Sequence, residues 1–470
     1  MELSAQVVVL GAGPGGYAAA FLAAGHGFST ILVDADSQPG GVCLQRGCIP
    51  SKALLQVARL LLESREAATM GLCFAPPTLD LHRMRAWKDE VVQRLMHGLA
   101  EQCQRRGVHF VQGQGRLLDA HTLLVTGPDG TEQRLAFLHC ILATGSRPAG
   151  LPWLDLALPG ILDSTQALAL TQIPRTLLVV GGGAIGLELG TVYAALGSAV
   201  SVVEMGDGLL PGVDRDLVRP LAQRLARLFS SVQTNSRVVA LQAEAEGFQV
   251  TLQSGELQSE QWADALLIAT GRWPNSQHLG LEAVGVALEH GFVPVGPDMR
   301  TTVPHILAIG DLIGGPMLAH KASDDARRAV ATLLGQPPVG PRVVPAVVYT
   351  DPEVACAGLT ETAARQQGIA VKTVRFPWAA SGRAHTLERS EGLSKWLVDP
   401  RSERILGVGI VGVHAGELLA QGVQAIEQGL TIRQVAQTVH PHPTLSETLL
   451  ESAEVFFGES VHYYAPRRER

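Results

Sequence analysis

The sequence predicts an α/β protein in which one strand–turn–helix unit occurs twice, and three observations carry that prediction. Residues 6–10 read as a buried strand followed by Gly11-Ala12-Gly13-Pro14-Gly15-Gly16 and an alanine-rich helix. Residues 176–180 read as a second such strand, followed by Gly181-Gly182-Gly183-Ala184-Ile185-Gly186 and another apolar helix. Each unit then reaches a second strand ending in a carboxylate, Asp34 or Glu204, 23 positions after its first glycine. Each also closes on a short apolar strand that ends in Thr-Gly, at Thr144-Gly145 and Thr270-Gly271.

The glycines stand where a dinucleotide needs them. The first (Gly11, Gly181) permits the tight turn, the second (Gly13, Gly183) lets the backbone approach a pyrophosphate, and the third (Gly16, Gly186) lets the helix pack on the strand. The helix N-terminus then favours the anion, and the carboxylate accepts from a ribose diol. A lone glycine series is weak evidence, because structural turns use glycine too. Two copies with matched acids predict two Rossmann-like dinucleotide-binding domains. The first unit is longer, 133 residues from Gly11 to Thr144 against 89 from Gly181 to Thr270. Its extra length lies in a helical stretch expected from near Cys48 through Leu62 and Met84 to Cys103.

Composition narrows the class. At 470 residues the chain exceeds one core and should divide into about three or four domains. With 46% apolar and 17% charged residues it should be globular. A net charge of -7 leaves no electrostatic footprint for nucleic acid or an anionic membrane. The first strand begins almost at Met1, so no signal peptide and no lipoyl domain of its own are expected. Six cysteines are too few for a secreted disulfide scaffold, which predicts a cytoplasmic or similarly reducing compartment. Residues 177–203 are apolar, but the Gly181-Gly182-Gly183 run and Glu188 argue against a membrane helix.

The chemistry should lie in the segment added to the first unit. Pro50 suits a first helical turn, so Cys48 should sit near a helix N-terminus, where the macrodipole favours a thiolate. Cys43 should occupy the preceding glycine-flanked turn and fold back to pair with it. A metal site would need two more soft ligands at suitable spacing. Cys73, Cys103, Cys140 and Cys356 stand singly, so no metal is expected and these four should be core residues. Residues 306–311 form another buried strand ending in an acid, Asp311, which alone reads as a turn cap as readily as a ligand. Near the C-terminus, Pro441 and Pro443 should hold His440 and His442 extended, and Glu447 can orient one imidazole. A dithiol substrate needs such a base, since free thiols are mostly protonated at neutral pH. A rigid loop at a subunit contact is the bland alternative, and the cysteine pair favours the base.

With these residues in view, the sequence resembles the pyridine nucleotide–disulfide oxidoreductase family, and within it the dihydrolipoamide dehydrogenases. The resemblance covers nearly the whole chain and is most specific at residues 40–52, 181–190, 269–275, 320–323, 349–354 and 440–447. It implies an FAD-binding domain beginning in 1–148, an NAD-binding domain in 149–275, a central domain completing the FAD site in 276–345, and a C-terminal α+β dimerisation domain in 346–470. FAD would meet Gly11, Gly13, Gly16, Asp34, Lys52, Gly115, Thr144, Gly145, Asp311 and Ala319. NAD would meet Gly181, Gly183, Gly186, Glu204, Val238, Gly271 and Arg272. Cys48 would face the flavin and Cys43 would meet substrate. Lys52 and Glu188 would pair near the flavin, and His442, held by Glu447, would be the acid–base.

The implied activity is oxidation of protein-bound dihydrolipoamide with reduction of NAD. The implied partners are a second copy of the chain and a lipoylated carrier of a 2-oxoacid dehydrogenase or glycine-cleavage complex. Alternatives are a related flavin-disulfide reductase for another small disulfide and a non-catalytic, nucleotide-bound scaffold subunit. The intact cysteines and base speak against the scaffold. Two departures stand out, Asp34 where the family has glutamate and Asp325-Ala326 for a usual Glu-Gly, while the end, Tyr464-Ala465-Pro466-Arg467, lacks the paired cysteines of a mercuric reductase tail.

Overall fold

A computed structural model of the chain describes residues 2–338, 340 and 342–464. Residues 465–467 of the tail therefore lie outside the described residues. The first unit is built on a sheet ordered His109–Gln112, Thr30–Asp34, Glu2–Leu10, Glu132–Leu142, Thr122–Thr126, Gln114–Asp119. Its left half is parallel and its right half antiparallel. Val7, Val8 and Val9 are wholly buried, as a strand covered on both faces requires. The distant strand Ile306–Ala308 joins the same sheet in parallel beside Glu132–Leu142, which delivers Asp311 to the end where Gly11 begins its turn.

The second unit repeats the plan. Its parallel sheet runs Ser231–Gln233, Ala199–Val203, Thr176–Val180, Ala265–Ile268, Ile161–Leu162. A three-stranded antiparallel sheet, Ser236–Glu244, Gly247–Ser254 and Leu257–Ala263, covers one side. Residues 177–203 are thus strand, turn, helix and strand. No helix among the described residues is long and apolar enough to cross a membrane. The two units are stitched by a short antiparallel ladder of Ser146–Pro148 against Arg272–Pro274. The last part is a five-stranded antiparallel sheet of Ala346–Val348, Glu353–Gly358, Ile405–Gly412, Leu393–Val398 and Lys372–Pro377, packed by the helices Ala415–Glu427 and Glu447–Phe457.

Two expectations need correction. The helical stretch from Cys48 to Cys103 is two helices, Cys48–Glu66 and Leu81–Arg105. Gly71 takes a left-handed conformation (φ 85°) and Pro76-Pro77 cannot continue a helix. Asp80 then starts the second helix by accepting from the Arg83 N–H at 2.9 Å. Of the four unpaired cysteines, Cys103 and Cys140 are buried, and burial pushes the Cys140 thiol up to about 12. Cys356 is half-buried and Cys73 is exposed, because it falls in the segment between those helices rather than on a packed face.

Candidate active site

Cys43 and Cys48 form a disulfide, with Cα atoms 4.7 Å apart. Cys48 is the first residue of the helix Cys48–Glu66, where unpaired backbone N–H groups and the helix dipole stabilise a sulfur anion. Cys43 lies not in a turn but in a short helix, Gly41–Arg46, which begins after the positive-φ residue Gly40. The bend between the helices falls at Gly47, where a Cβ would stand 2.8 Å from the Val42 carbonyl oxygen. Only a residue without a side chain lets the two cysteines meet there.

The disulfide opens on a cleft of about 980 Å³ that runs from one glycine turn to the other. On the side of the first unit it is lined by Gly11, Gly13, Asp34, Lys52, Gly115, Thr144, Gly145, Asp311 and Ala319. Toward the second unit it is lined by Gly183, Glu188, Gly271 and Arg272. Gly16, Gly181, Gly186 and Glu204 are not part of this lining. Val238 is removed further: its side chain belongs to the buried core of the second unit, because its strand turns that face inward.

The glycines separate into three physical classes, identical in both units. Gly11 (φ 103°) and Gly181 (φ 116°) hold a conformation that side chains disfavour, and a Cβ would strike the carbonyl oxygen of Ala143 or Ala269. At Gly16 and Gly186 a Cβ would strike the carbonyl oxygen of Gly11 or Gly181, so helix–strand packing excludes it. Gly13 and Gly183 are different. Their φ values, -70° and -82°, suit any residue. A Cβ at Gly183 meets nothing within 4 Å, and one at Gly13 meets only the Gly41 Cα at 4.0 Å. Nothing within the described residues requires glycine at these two helix N-termini, but a pyrophosphate resting on the backbone would. The cleft therefore fits a dinucleotide at each end.

The two acids also do the same work. Asp34 accepts from the backbone N–H of Ala12 (2.5 Å) and Asp36 (2.8 Å). Glu204 accepts from Gly182 (2.7 Å) and Gly206 (2.6 Å), the corresponding positions. The missing methylene of Asp34 is thus absorbed, and each carboxylate ties its glycine turn to the next strand. Burial is the larger influence on the Asp34 carboxyl and raises it, against the lowering effect of the two N–H bonds.

Lys52 and Glu188, 136 residues apart, are paired at 2.8 Å one helical turn beyond Cys48. Glu188 also accepts from the Tyr349 N–H at 2.9 Å, and the Lys52 ammonium stands 4.5 Å from the centre of the Tyr349 ring. His442 Nδ1 is 2.9 Å from Glu447 Oε1, while Glu447 Oε2 accepts from the Thr444 N–H at 2.7 Å. That second bond fixes the carboxylate that orients the imidazole. The His442–Pro443 peptide is cis, and the imidazole is 71% exposed and does not line the cleft of its own chain.

Several lining residues had no separate signal in the sequence. Arg46 grips Asp36 through two nitrogens at 3.0 and 2.8 Å, so the cysteine loop is anchored beside Asp34. Ser146 donates to Asp311 at 2.5 Å and accepts from Arg272 at 2.7 Å. Asp325, one of the departures from the family pattern and not itself in the lining, accepts from the Gly310 N–H at 3.1 Å and pairs with Lys321 at 3.0 Å. A grouping of Asp214, Asp216 and Glu361 has the spacing of a metal site, but the Lys395 ammonium already holds all three carboxylates at 2.7–2.8 Å.

The chain is similar to known proteins over nearly its whole length. The family described as pyridine nucleotide-disulphide oxidoreductase matches residues 5–326, and its dimerisation domain matches residues 344–453. A dihydrolipoyl dehydrogenase of Haemophilus influenzae is 44% identical over 459 residues, covering 97% of this chain and 96% of its own. A dihydrolipoyl dehydrogenase of Vibrio cholerae is 43% identical, with the same shares covered. Among solved structures, LpdA from Mycobacterium tuberculosis has a TM-score of 0.89 at 29% identity, over 97% of this chain and 99% of its own. The HOCl-induced flavoprotein disulfide reductase RclA from Escherichia coli has a TM-score of 0.85 at 28% identity, over 96% and 99%. These matches span both glycine turns, the Cys43–Cys48 disulfide and the C-terminal sheet of this chain, and the chain belongs to the pyridine nucleotide-disulphide oxidoreductase family.

Proposed function

We propose that this chain oxidises protein-bound dihydrolipoamide to lipoamide and reduces NAD. The observation that carries the reading is the Cys43–Cys48 disulfide, set at a helix N-terminus between two cradles whose open glycines fit dinucleotides. His442, oriented by Glu447, takes a proton from a substrate thiol. The resulting thiolate attacks the Cys43 sulfur, forming a mixed disulfide and releasing Cys48 as a thiolate that the helix dipole stabilises. The second substrate sulfur, deprotonated in turn, attacks the first, closing the lipoamide ring and releasing Cys43. Bound FAD supplies a two-electron relay from the reduced pair to NAD. Lys52, fixed by Glu188, places a positive charge beside the flavin end of the cleft.

The exposure of His442 in a single chain supports its service to the disulfide of a second copy, as the match to a dimerisation domain suggests. The partners are then a homodimer and a lipoylated carrier of a 2-oxoacid dehydrogenase or glycine-cleavage complex, in the cytoplasm. The likeness to RclA favours one alternative, a reductase for another small disulfide. Purified chain should form NADH rapidly with dihydrolipoamide and poorly with a panel of other dithiols. Faster turnover of another dithiol would overturn the assignment.

A further inference from the structure

We propose that Ser146 and Arg272 form a positioning relay that fixes the carboxylate of Asp311 for the flavin. This rests on the reading of Asp311 as a flavin residue. Ser146 is 2% exposed and lies on the strand that stitches the two nucleotide-binding units together. Arg272, on the opposite strand, donates from Nε to the Ser146 hydroxyl at 2.7 Å and from Nη2 to the Ser146 carbonyl oxygen at 2.6 Å. A guanidinium has donors and no acceptor, so Ser146 can only receive from it. The hydroxyl's single proton is thereby turned to Asp311 Oδ2, 2.5 Å away. One carboxylate oxygen is committed to this bond, and the other is left for hydroxyl groups in the cleft that Asp311 lines.

The turn carrying Asp311 is secured separately. Gly310 gives its N–H to Asp325 at 3.1 Å, and Lys321 bonds the carbonyl oxygens of Gly310 and Gly314 at 3.1 and 3.0 Å while pairing with Asp325. The backbone is therefore held from behind without Ser146, and the relay acts on the side chain alone. Two of the nitrogens of Arg272 are spent on Ser146, so this residue of the nicotinamide side serves the flavin side. It gives the two units a polar connection that ends on a cofactor ligand.

The test is the FAD affinity of the full-length protein, read by fluorescence during flavin removal and re-addition, together with the thermal midpoint of the flavin-free form. Ser146→Ala should weaken FAD about tenfold, the effect of losing a hydrogen bond to a charged group, and should lower the flavin-free midpoint by a few degrees at most, because Arg272 Nε loses its acceptor. Ser146→Thr, which keeps the hydroxyl, should recover most of the affinity. Arg272→Lys keeps the charge but not the fork, and should weaken FAD in the same direction. This variant decides the matter if Ser146→Ala is recovered unfolded. Normal FAD affinity in Ser146→Ala, when Asp311→Ala has lost it, would overturn the relay. So would an Arg272→Lys protein that binds FAD normally and shows only a raised KM for NAD. Normal FAD affinity in Asp311→Ala would instead remove the flavin reading of Asp311, and the relay with it.

Discussion

Replacing Gly183 and Gly186 by alanine, one at a time, should separate binding from folding within a single turn. At Gly183 the new methyl meets nothing within 4 Å and the backbone is ordinary extended chain. Alanine is a slightly poorer helix N-cap than glycine, while the unfolded chain loses freedom. The two effects oppose each other and leave stability within about 0.5 kcal/mol of the parent. At Gly186 the methyl strikes the Gly181 carbonyl oxygen and comes within 3.0 Å of Val179 Cγ1, so the helix must move off the sheet at about 1–3 kcal/mol. The order reverses for the ligand. The Gly183 methyl projects where a pyrophosphate meets the backbone, and losing a charge-assisted hydrogen bond there costs about 1.5–3 kcal/mol, roughly 10- to 150-fold in affinity. Gly183→Ala should therefore keep its thermal midpoint and raise KM for NAD by that factor, whereas Gly186→Ala should lose several degrees. An unchanged KM for NAD in Gly183→Ala, or a larger loss of stability there than at Gly186, would refute the reasoning.

Co-expressed His442→Ala and Cys48→Ser chains should regain about a quarter of normal activity, because random pairing makes half the dimers mixed and each then has one intact site. Purified mixed dimers no better than either parent would place His442 in its own chain's site. Cys43→Ser should abolish dithiol turnover while leaving FAD bound, and flavin loss on this change would place Cys43 in the cradle instead. Glu204 should repel the 2′-phosphate of NADP, so Glu204→Ala should narrow the preference for NAD, and equal use of both nucleotides by the parent would count against it. Burial alone would raise the Asp351 carboxyl, but Arg389 and Arg224 outweigh it and hold the group below its ordinary value. Its stabilisation is complete above the ordinary carboxylate range and is lost as pH falls through the lowered value. Asp351→Asn should thus cost about 2 kcal/mol at pH 7, discounted because Arg224 keeps Glu66 and Arg389 keeps Glu391. The gap from the parent should close below about pH 4, and urea unfolding at both pH values would show it.

Both nucleotide turns, the acids that follow them and the cysteine pair were legible in the sequence because their cause is local. A tight turn before a helix excludes a side chain at Gly11 whatever surrounds it, and Pro50 marks the helix start two residues after Cys48. Local patterns misled where a short range offered two outcomes. Glycines before Cys43 allowed a turn or a short helix, and the helix won. Cys73 had the look of a core residue until Gly71 and the paired prolines broke the helix that would have buried it.

What the sequence by itself determined is the inventory and its periodicity: two units, one disulfide, one His–Glu pair near the end. Only the tertiary structure decided which of these share a site. Ile306–Ala308 had to enter the first sheet before Asp311 reached the cleft, and the ladder of Ser146–Pro148 on Arg272–Pro274 had to close before Arg272 met Ser146, 126 positions away. The physical reason is that such contacts are paid for by the burial and backbone pairing of whole sheets. A lone serine or arginine in the sequence carries no trace of that cooperative energy.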